Sequence, residues 1–324
     1  MLGTLGLVLI PLLHGPVSVQ GHANMVWPYT WFDQGGYLGM TPGMQCAAGN
    51  PGACMWFTNY TMIPGYPSLP DEMRTFQDFY IEGMGNYDWT SKNPWRAPGS
   101  APVYSPCGVA GGNPDGCPVG GPEGDCPGGG FGYGPAAEFV DFPDVLTTEW
   151  QLGGTAEVGW GIIANHGGGY SYRLCKVPED GVVTEECFQQ MPLSFSGDTQ
   201  WVQYGEEGEI VEFVANRTRT GTFPEGSQWT KNPIPACAST DGGWFESGPQ
   251  CPESGPQFPP PAPGLLGYGE NHLKPGAPDF LFTIMDEVVV PAGIVPGEYV
   301  LSFRWDCEQT SQIWNACSNI KIVE

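Results

Sequence analysis

Residues 156–177, AEVGWGIIANHGGGYSYRLCKV, contain two runs of strand-forming residues on either side of a glycine-rich break. The second run alternates apolar and polar residues, as a strand with one buried face does. Glycine interrupts regular structure, so NHGGG is typical of a turn. The stretch therefore predicts two strands. His166 lies in the turn where the first ends and the second begins, a position from which its side chain can be presented at the rim of the sheet.

The rest of the chain follows the same pattern of short strands and turns. No long window has the apolar spacing of an amphipathic helix, and 49 Gly and 34 Pro interrupt the 324 residues. The sequence therefore predicts an all-β fold. The other predicted strands are 208–216, 279–290, 297–307 and 317–324, and the best candidate for a short helix is 68–80.

Eleven cysteines favour an oxidising compartment and disulfide-pinned loops. The glycine-rich loop 107–135 carries three of them, and the proline-rich stretch 247–264 is expected to run extended over the surface. Hairpin-like intervals suggest the pairs Cys175–Cys187 and Cys307–Cys317, and Cys46 with Cys54 would close a short loop. One of the eleven thiols must stay unpaired within the chain.

Residues 1–21 resemble a signal peptide, because the apolar run LGLVLIPLL is too short to span a bilayer. Cleavage after Gly21 would leave His22 as the first residue and 22–324 as a single domain. We therefore expect a secreted, extracellular protein. The sequons at Asn59 and Asn216 agree with a eukaryotic secretory route and a glycoprotein.

A formal net charge of -24, with only 11 Lys and Arg, opposes binding to phosphate backbones and to anionic lipids. We therefore expect neither a nucleic acid nor a membrane as a partner. Neutral polymers rich in hydroxyl groups carry no such penalty, and an aromatic content of 13% can supply stacking surfaces for sugar rings.

The chain has four histidines, His14, His22, His166 and His272, of which His14 would leave with the leader. An N-terminal histidine offers its imidazole and its α-amine, whose reference pKa is near 8, as two nitrogen donors. A lone histidine in a turn is more often a polar surface residue, and this is the expectation for His272. Paired with His22, however, His166 would complete three nitrogens, a donor set suited to one copper ion.

Several of these segments resemble secreted copper-dependent lytic polysaccharide monooxygenases with the chitin-binding type 4 pattern. They are the leader followed by His22, YSPCGVAGG at 104–112, ANHGGGYSYRLC at 164–175 and RWDCEQTSQIWNACSNIKI at 304–322. The resemblance implies an immunoglobulin-like or fibronectin-like β-sandwich with a flat face. It also implies a histidine brace, in which His22 gives its amine and a ring nitrogen and His166 the third nitrogen.

The resemblance further assigns residues around the metal. This family usually has Tyr or Phe three residues before a late cysteine, where the present chain has Trp314 before Cys317. Either Trp314 shields the axial position as an apolar wall, or another aromatic residue lies there. Gln312 is the first candidate for a group that hydrogen-bonds oxygen species, with Glu308 and Gln309 as nearby alternatives.

Four aromatic residues near the two histidines are candidates for stacking on sugar rings, or alternatively for the core: Trp27, Tyr29, Trp31 and Tyr170. The resemblance implies a monomeric oxidoreductase that uses O2 or H2O2 as co-substrate, with an external reductant. Its partner would be an insoluble polysaccharide, chitin first and cellulose or another β-glucan second. The alternatives are a non-catalytic glycan-binding protein and a copper-binding or copper-transfer protein.

Overall fold

The structure is a computed structural model, and its described part consists of separate stretches of the chain. These are residues 22–31, 56–58, 63–76, 91, 93–103, 106–107, 146–204, 208–237, 251, 253, 255–267, 282–310 and 312–324. Within them the chain forms two β-sheets, one short α-helix and two 3-10 turns. Side chains of both sheets meet in one apolar cluster, so the architecture is a β-sandwich.

The first sheet contains six strands of the described chain, in the order β1-β4-β11-β7-β8, with β6 paired to β11. All of its pairs are antiparallel. Its strands are β1 His22–Trp27, β4 Thr155–Ala164, β6 Ser194–Phe195, β7 Thr199–Gln203, β8 Ile210–Val214 and β11 Thr283–Val289.

The second sheet has the order β2-β13-β12-β5-β10-β9, and β3 lies parallel to the far end of β13. Its central strand β12 is buried along most of its length because both neighbours pair with it and both faces are covered. The strands are β2 Trp56–Thr58, β3 Thr147–Gln151, β5 Gly169–Lys176, β9 Arg217–Thr218, β10 Trp229–Lys231, β12 Gly297–Asp306 and β13 Ile313–Val323.

Aromatic rings fill the space between the two sheets. Trp160 of β4 packs against Tyr170, Phe303 and Trp305 of the second sheet, with ring centroids 4.7, 5.3 and 5.4 Å apart. Large rings bury much apolar surface each, and such pairs add packing energy beyond that burial. This cluster fixes how β4 and β5 lie relative to one another.

Part of the outer face of the second sheet, at β5, is covered by α1, Glu185–Gln189, which begins after the capping residue Thr184. Below it, the guanidinium groups of Arg173 and Arg304 share the carboxylate of Glu185, and Arg304 also bonds Asp306 at 2.6 Å. Buried charges are tolerated when they are paired and hydrogen-bonded, as these are. These ion pairs therefore hold α1 against β5 and β12 of the second sheet.

The all-β sandwich prediction is confirmed, and each of the six predicted strands corresponds to an observed one. Their bounds differ by up to four residues: β13 begins at Ile313 rather than at 317, and β11 begins at Thr283 rather than at 279. The predicted helix at 68–80 is wrong for its described part, where only Asp71–Met73 forms a 3-10 turn between extended residues. Residues 77–80, the leader 1–21 and most of the loop 107–135 lie outside the described residues.

Three disulfides lie in the described chain: Cys107–Cys317, Cys175–Cys187 and Cys237–Cys251. The predicted Cys175–Cys187 bond is confirmed, whereas Cys307–Cys317 is wrong. Cys317 pairs in register with Ser302 on β12, five residues before Cys307 and thus roughly 16 Å from it along the strand. Cys307 is a buried free thiol, and Cys46 and Cys54 lie outside the described residues.

A buried polar network ties the two sheets together at Asp286 of β11. Its carboxylate accepts a hydrogen bond from the Tyr170 hydroxyl at 2.5 Å and pairs with Arg217 at 3.2 Å. Burial raises the pKa of Asp286 to about 6, although Arg217 and the Tyr170 hydrogen bond oppose the shift. No helix in the described part of the chain is long and apolar enough to cross a membrane.

This network predicts a pH-dependent stability. The folded state binds a proton at Asp286 more tightly than the unfolded chain does. Protonated Asp286 therefore stabilises the fold fully below pH 4, and this contribution is lost as the pH rises through 6. We expect the difference in unfolding free energy between wild type and Asp286→Asn to fall by about 3 kcal/mol over that range. Urea unfolding at several pH values measures it. A pH-independent difference would contradict the assignment.

Candidate metal centre

The register of β1 brings the main chains of the two histidines together. β1 pairs antiparallel with β4, and His22 lies opposite Ala164, two residues before His166. A register shift between His22 and Ala23 marks a bulge at this end of the strand, a device that often redirects side chains next to functional sites. The first residue of β1 therefore lies beside the turn that carries His166.

The His166 imidazole is buried, with 1% of its surface exposed. Its Nδ1 lies 2.8 Å from Oε1 of Gln309, and its carbonyl oxygen accepts hydrogen bonds from the backbone N–H groups of Glu308 and Gln309. Because the amide oxygen can only accept, Nδ1 carries the proton and Nε2 keeps the lone pair that a metal requires. Burial lowers the pKa of His166 to about 4, so the ring is neutral at neutral pH.

Two glycines after His166 adopt backbone angles that other residues rarely take. Gly167 and Gly168 have φ of +63° and +76°. A Cβ atom on Gly167 would lie 2.1 Å from Oγ1 of Thr75, and one on Gly168 would lie 2.0 Å from the carbonyl oxygen of Asp306. Glycine is therefore required at both positions, since the conformation and the close approach each exclude a side chain.

Asn165 fixes the other side of the same turn. It is fully buried, and its amide group makes four hydrogen bonds. Its Oδ1 accepts from the Gly167 N–H and from Nδ2 of Asn232, both at 2.9 Å, and its Nδ2 donates to the carbonyl oxygens of Ile234 and Gly267. A fully satisfied buried amide of this kind gives the turn one defined conformation.

Glu308 supports the turn from the opposite side. Its buried carboxylate accepts hydrogen bonds from Oγ1 of Thr75 at 2.6 Å and from Nε of Arg74 at 3.1 Å. Thr75 Oγ1 in turn accepts from the Gly168 N–H at 2.6 Å. Burial raises the pKa of Glu308, and these bonds partly offset the rise. The carboxylate thus links residues 74–76 to the loop around His166.

The two other candidates for the metal environment are Trp314 and Gln312. Trp314 is fully buried in the sandwich core, opposite Trp305 in register. Gln312 is 8% exposed, and its Oε1 accepts a hydrogen bond from the Thr310 hydroxyl at 3.2 Å. The proposed roles of both residues stay predictions. Gln309, named only as an alternative, is the amide that contacts His166.

The four aromatic candidates for sugar binding divide into two pairs. Trp27 and Tyr29 are half-buried, and their rings pack edge to face with centroids 5.1 Å apart. Trp31 and Tyr170 are 2% and 0% exposed, so for these two the core alternative applies. Trp31 donates to Oδ1 of Asn319 and Tyr170 donates to Asp286, which fixes both rings in the interior.

The donor set fits copper if the leader is removed. In the described part of the chain, no three His, Cys, Asp or Glu side chains cluster as a metal site. A three-nitrogen site at His166 therefore needs both donors of an N-terminal His22, the α-amine and the imidazole. The position of that imidazole, like the whole of His272, lies outside what the structure describes.

The contact between Gln309 and His166 predicts an effect on metal affinity. Gln309→Leu removes the acceptor for Nδ1–H, and loss of such a partner typically weakens metal binding 10- to 100-fold. Gln309→Glu keeps an acceptor and should retain most of the affinity. Gln190→Leu is the control, because its exposed side chain follows α1 and makes none of the described contacts with His166. Copper titration by calorimetry compares the three, and equal affinities for both leucine variants would contradict the assignment.

No protein-family model matches the sequence, and no curated protein matches it. Among solved structures, the chain is similar to an AA10 lytic polysaccharide monooxygenase from Streptomyces lividans, at 12% identity and a TM-score of 0.28, over 57% of this chain and 65% of that chain. The chain is also similar to a cellulose-active lytic polysaccharide monooxygenase in complex with copper, at 13% identity and a TM-score of 0.23, over 56% of this chain and 55% of that chain.

A chitin-binding domain from Burkholderia pseudomallei gives 12% identity, a TM-score of 0.26, and coverage of 55% of this chain and 57% of that chain. The chain thus spans between about half and just under two thirds of the length of these proteins. Function therefore has to be inferred from the residues of this chain.

Proposed function

We propose that this chain is a secreted, copper-dependent monooxygenase that cleaves glycosidic bonds of a neutral polysaccharide oxidatively. Chitin is the first candidate substrate, and cellulose or another β-glucan the second. One observation carries the proposal: the first residue of β1 pairs with Ala164, beside a histidine whose ring is fixed through its Nδ1. Cleavage after Gly21 would make that residue, His22, a two-nitrogen donor.

The ligands of one copper ion would be the His22 α-amine, the His22 imidazole and Nε2 of His166. Copper bound there would supply redox chemistry with O2 or H2O2 as co-substrate and an external reductant. Nitrogen donors suit copper, which also ranks highest among the divalent ions in affinity. Gln312 and Trp314 would lie nearby, as a hydrogen-bonding group and an apolar wall respectively.

The chain's own residues would contribute a ligand that is already in position. Gln309 sets the tautomer and the ring orientation of His166, and Asn165 and Glu308 fix the turn through hydrogen bonds. Because these groups are ordered when the protein folds, little conformational freedom remains to be lost when the metal binds. The burial of His166 also keeps its imidazole neutral, which is the form that ligates.

The substrate class follows from charge and from exposed rings. A net charge of -24 disfavours anionic polymers, nucleic acids and anionic membranes. Trp27 lies at the end of β1, the strand that starts with His22, and Tyr29 packs against it. These partly exposed rings, of which Trp27 lies five residues along β1 from His22 and thus roughly 16 Å from it, would stack on the apolar faces of sugar rings in an insoluble polysaccharide that extends beyond the metal centre.

The decisive experiment has two parts. The mature N-terminus of the secreted protein is sequenced, and the copper-loaded protein is then incubated with reductant and chitin or cellulose. We expect His22 as the first residue, a monomer in solution, and aldonic acid or ketoaldose products by mass spectrometry. An N-terminus upstream of His22 would rule out the copper site, and an absence of oxidised products from every neutral polymer would rule out the activity.

A glycan-binding protein without redox activity is the second candidate, and the Trp27–Tyr29 pair is the observation in its favour. It would bind the same polymers through these rings and would need no free histidine amine. Binding to chitin that survives removal of copper, together with an absence of oxidised products, would favour this alternative. A copper-transfer protein would bind copper but not the polymer.

A further inference from the structure

We propose that Asn216 carries an N-linked glycan whose first sugar lies in a cleft of this protein and packs against Phe213. The cleft has a volume of about 310 Å³ and is formed by β7, β8 and the start of the segment after β10, together with the proline-rich residues 258–261. Its lining residues include neither of the proposed copper ligands, His22 and His166, and the proposal does not depend on copper binding.

The acceptor residue itself lines this cleft. Asn216-Arg217-Thr218 is a sequon, and Asn216 is exposed between β8 and β9, where the chain passes from one sheet to the other. Its carbonyl oxygen accepts a hydrogen bond from the Lys231 N–H at 2.8 Å, which fixes the main chain. A sugar attached to the Asn216 amide nitrogen would therefore begin its path inside the cleft.

The walls of the cleft match the two kinds of surface of a sugar ring. Phe213 and Phe258 offer apolar faces, and Nζ of Lys231 lies 4.1 Å above the Phe258 ring, where it can donate hydrogen bonds. Clefts that combine aromatic walls with a few fixed polar groups are typical of small-ligand sites. An N-acetylhexosamine has an apolar face for the rings and hydroxyl groups for the polar atoms.

A buried acceptor in the cleft points to a ligand independently of the sequon. Gln200 is 1% exposed, and its Oε1 has no hydrogen-bond partner among the residues that the structure describes. The orientation of its amide is defined, because its Nε2 donates to the Tyr170 hydroxyl, which itself donates to Asp286. A buried acceptor without a partner destabilises the fold, and a sugar hydroxyl in the cleft would satisfy it.

The glycan would also cover an exposed sheet edge. β8 is the last strand of the first sheet along its path, and it exposes apolar side chains: Val214 is 81% and Ile210 is 53% exposed. Open edges of this kind can pair with other chains, and proteins commonly cover or charge them. A bulky, soluble glycan two residues after Val214 would shield this end of the strand.

The modification requires a donor that the secretory route supplies. The Asn216 amide nitrogen forms a bond to the anomeric carbon of an N-acetylhexosamine, and the bond from that carbon to the phosphate oxygen of a polyprenyl diphosphate donor breaks. The amide loses one proton to a base of the transferase, and the polyprenyl diphosphate leaves. Oxidation states do not change.

The first test is peptide mapping of the full chain secreted from a eukaryotic host. Removal of glycans by an amidase in heavy-oxygen water converts a modified Asn216 into a labelled aspartate, which mass spectrometry detects without any variant. We expect the label at Asn216. An unlabelled peptide would overturn the proposal, whereas the copper titration and product assay described above would be unaffected.

The second test asks whether the first sugar packs in the cleft. Trimming the glycan to one sugar should leave the melting temperature within about 1 °C, and complete removal should lower it by about 2 to 4 °C. In Phe213→Ala, complete removal of the glycan should lower the melting temperature by less than about 1 °C. Val211→Ala, on the same strand but outside the cleft, is the control and should keep the full effect. If removal of the glycan lowered the melting temperature equally in both variants, the proposal that the first sugar packs in the cleft would be overturned.

Discussion

His166→Ala is expected to lower copper affinity more than a hundredfold and to abolish oxidative cleavage. Loss of a group that only supports a ligand costs up to about 100-fold, and removal of one of three ligands should cost more. The residual chelate, the α-amine and the imidazole of His22, would bind copper weakly. Calorimetric titration and electron paramagnetic resonance of the loaded protein measure the loss and the change in the nitrogen ligand set.

His272→Ala provides the matched control, since it removes the one other histidine of the mature chain that is not a proposed ligand. It should leave copper affinity unchanged. The folded state of both variants is checked by thermal unfolding, because the buried His166 ring also fills space. If His166→Ala bound copper as tightly as wild type, the proposed ligand set would be wrong even if activity were lost.

Gly168→Ala is expected to destabilise the fold by about 2 to 5 kcal/mol, through overpacking and backbone strain, and to weaken copper binding. The new Cβ atom would lie 2.0 Å from the carbonyl oxygen of Asp306, an atom of the central strand β12 that cannot move independently. The left-handed backbone at φ +76° adds roughly 1 to 2 kcal/mol of strain. The loop would have to shift away from β12 and carry His166 with it.

Gly181→Ala separates these two contributions. Gly181 has nearly the same conformation, φ +71°, but no atom of the described residues lies within 4 Å of an added Cβ atom. It should therefore cost only the backbone strain, about 1 to 2 kcal/mol, and should leave copper affinity unchanged. Urea unfolding compares the two variants. Equal losses would show that the contact with Asp306 does not fix the His166 loop.

The strands on both sides of His166 were predictable from local composition. Val158, Trp160 and Ile162 alternate with polar residues or glycine, and the residues of β5 behave similarly, so both runs have the period of a half-buried strand. Their partners were not predictable. β4 and β5 follow each other in the sequence but lie in different sheets, because Trp160 packs across the sandwich onto Tyr170 and Trp305.

The errors have the same origin. Cys307 and Cys317 are separated by a hairpin-like interval, but the register of β12 and β13 places Cys317 opposite Ser302 and leaves it to pair with Cys107. Tyr170 follows the histidine loop in sequence, yet the direction of β5 turns its ring into the core. A pattern of residue types gives the period of a strand, whereas the partner strand and the buried face depend on contacts distant in the chain.

The sequence by itself determined the strand-rich composition, the glycine turn around His166, and the nitrogen chemistry that His22 would offer after cleavage. Only the tertiary structure decided that the main chain of His22 lies beside Ala164, that Gln309 rather than Gln312 contacts His166, and that Glu308 and Asn165 fix the loop. The physical reason is that, apart from the bond between Asn165 and Gly167, each of these contacts joins residues distant in sequence. Such contacts depend on how strands that are far apart in the chain pair with one another and pack around the shared aromatic core.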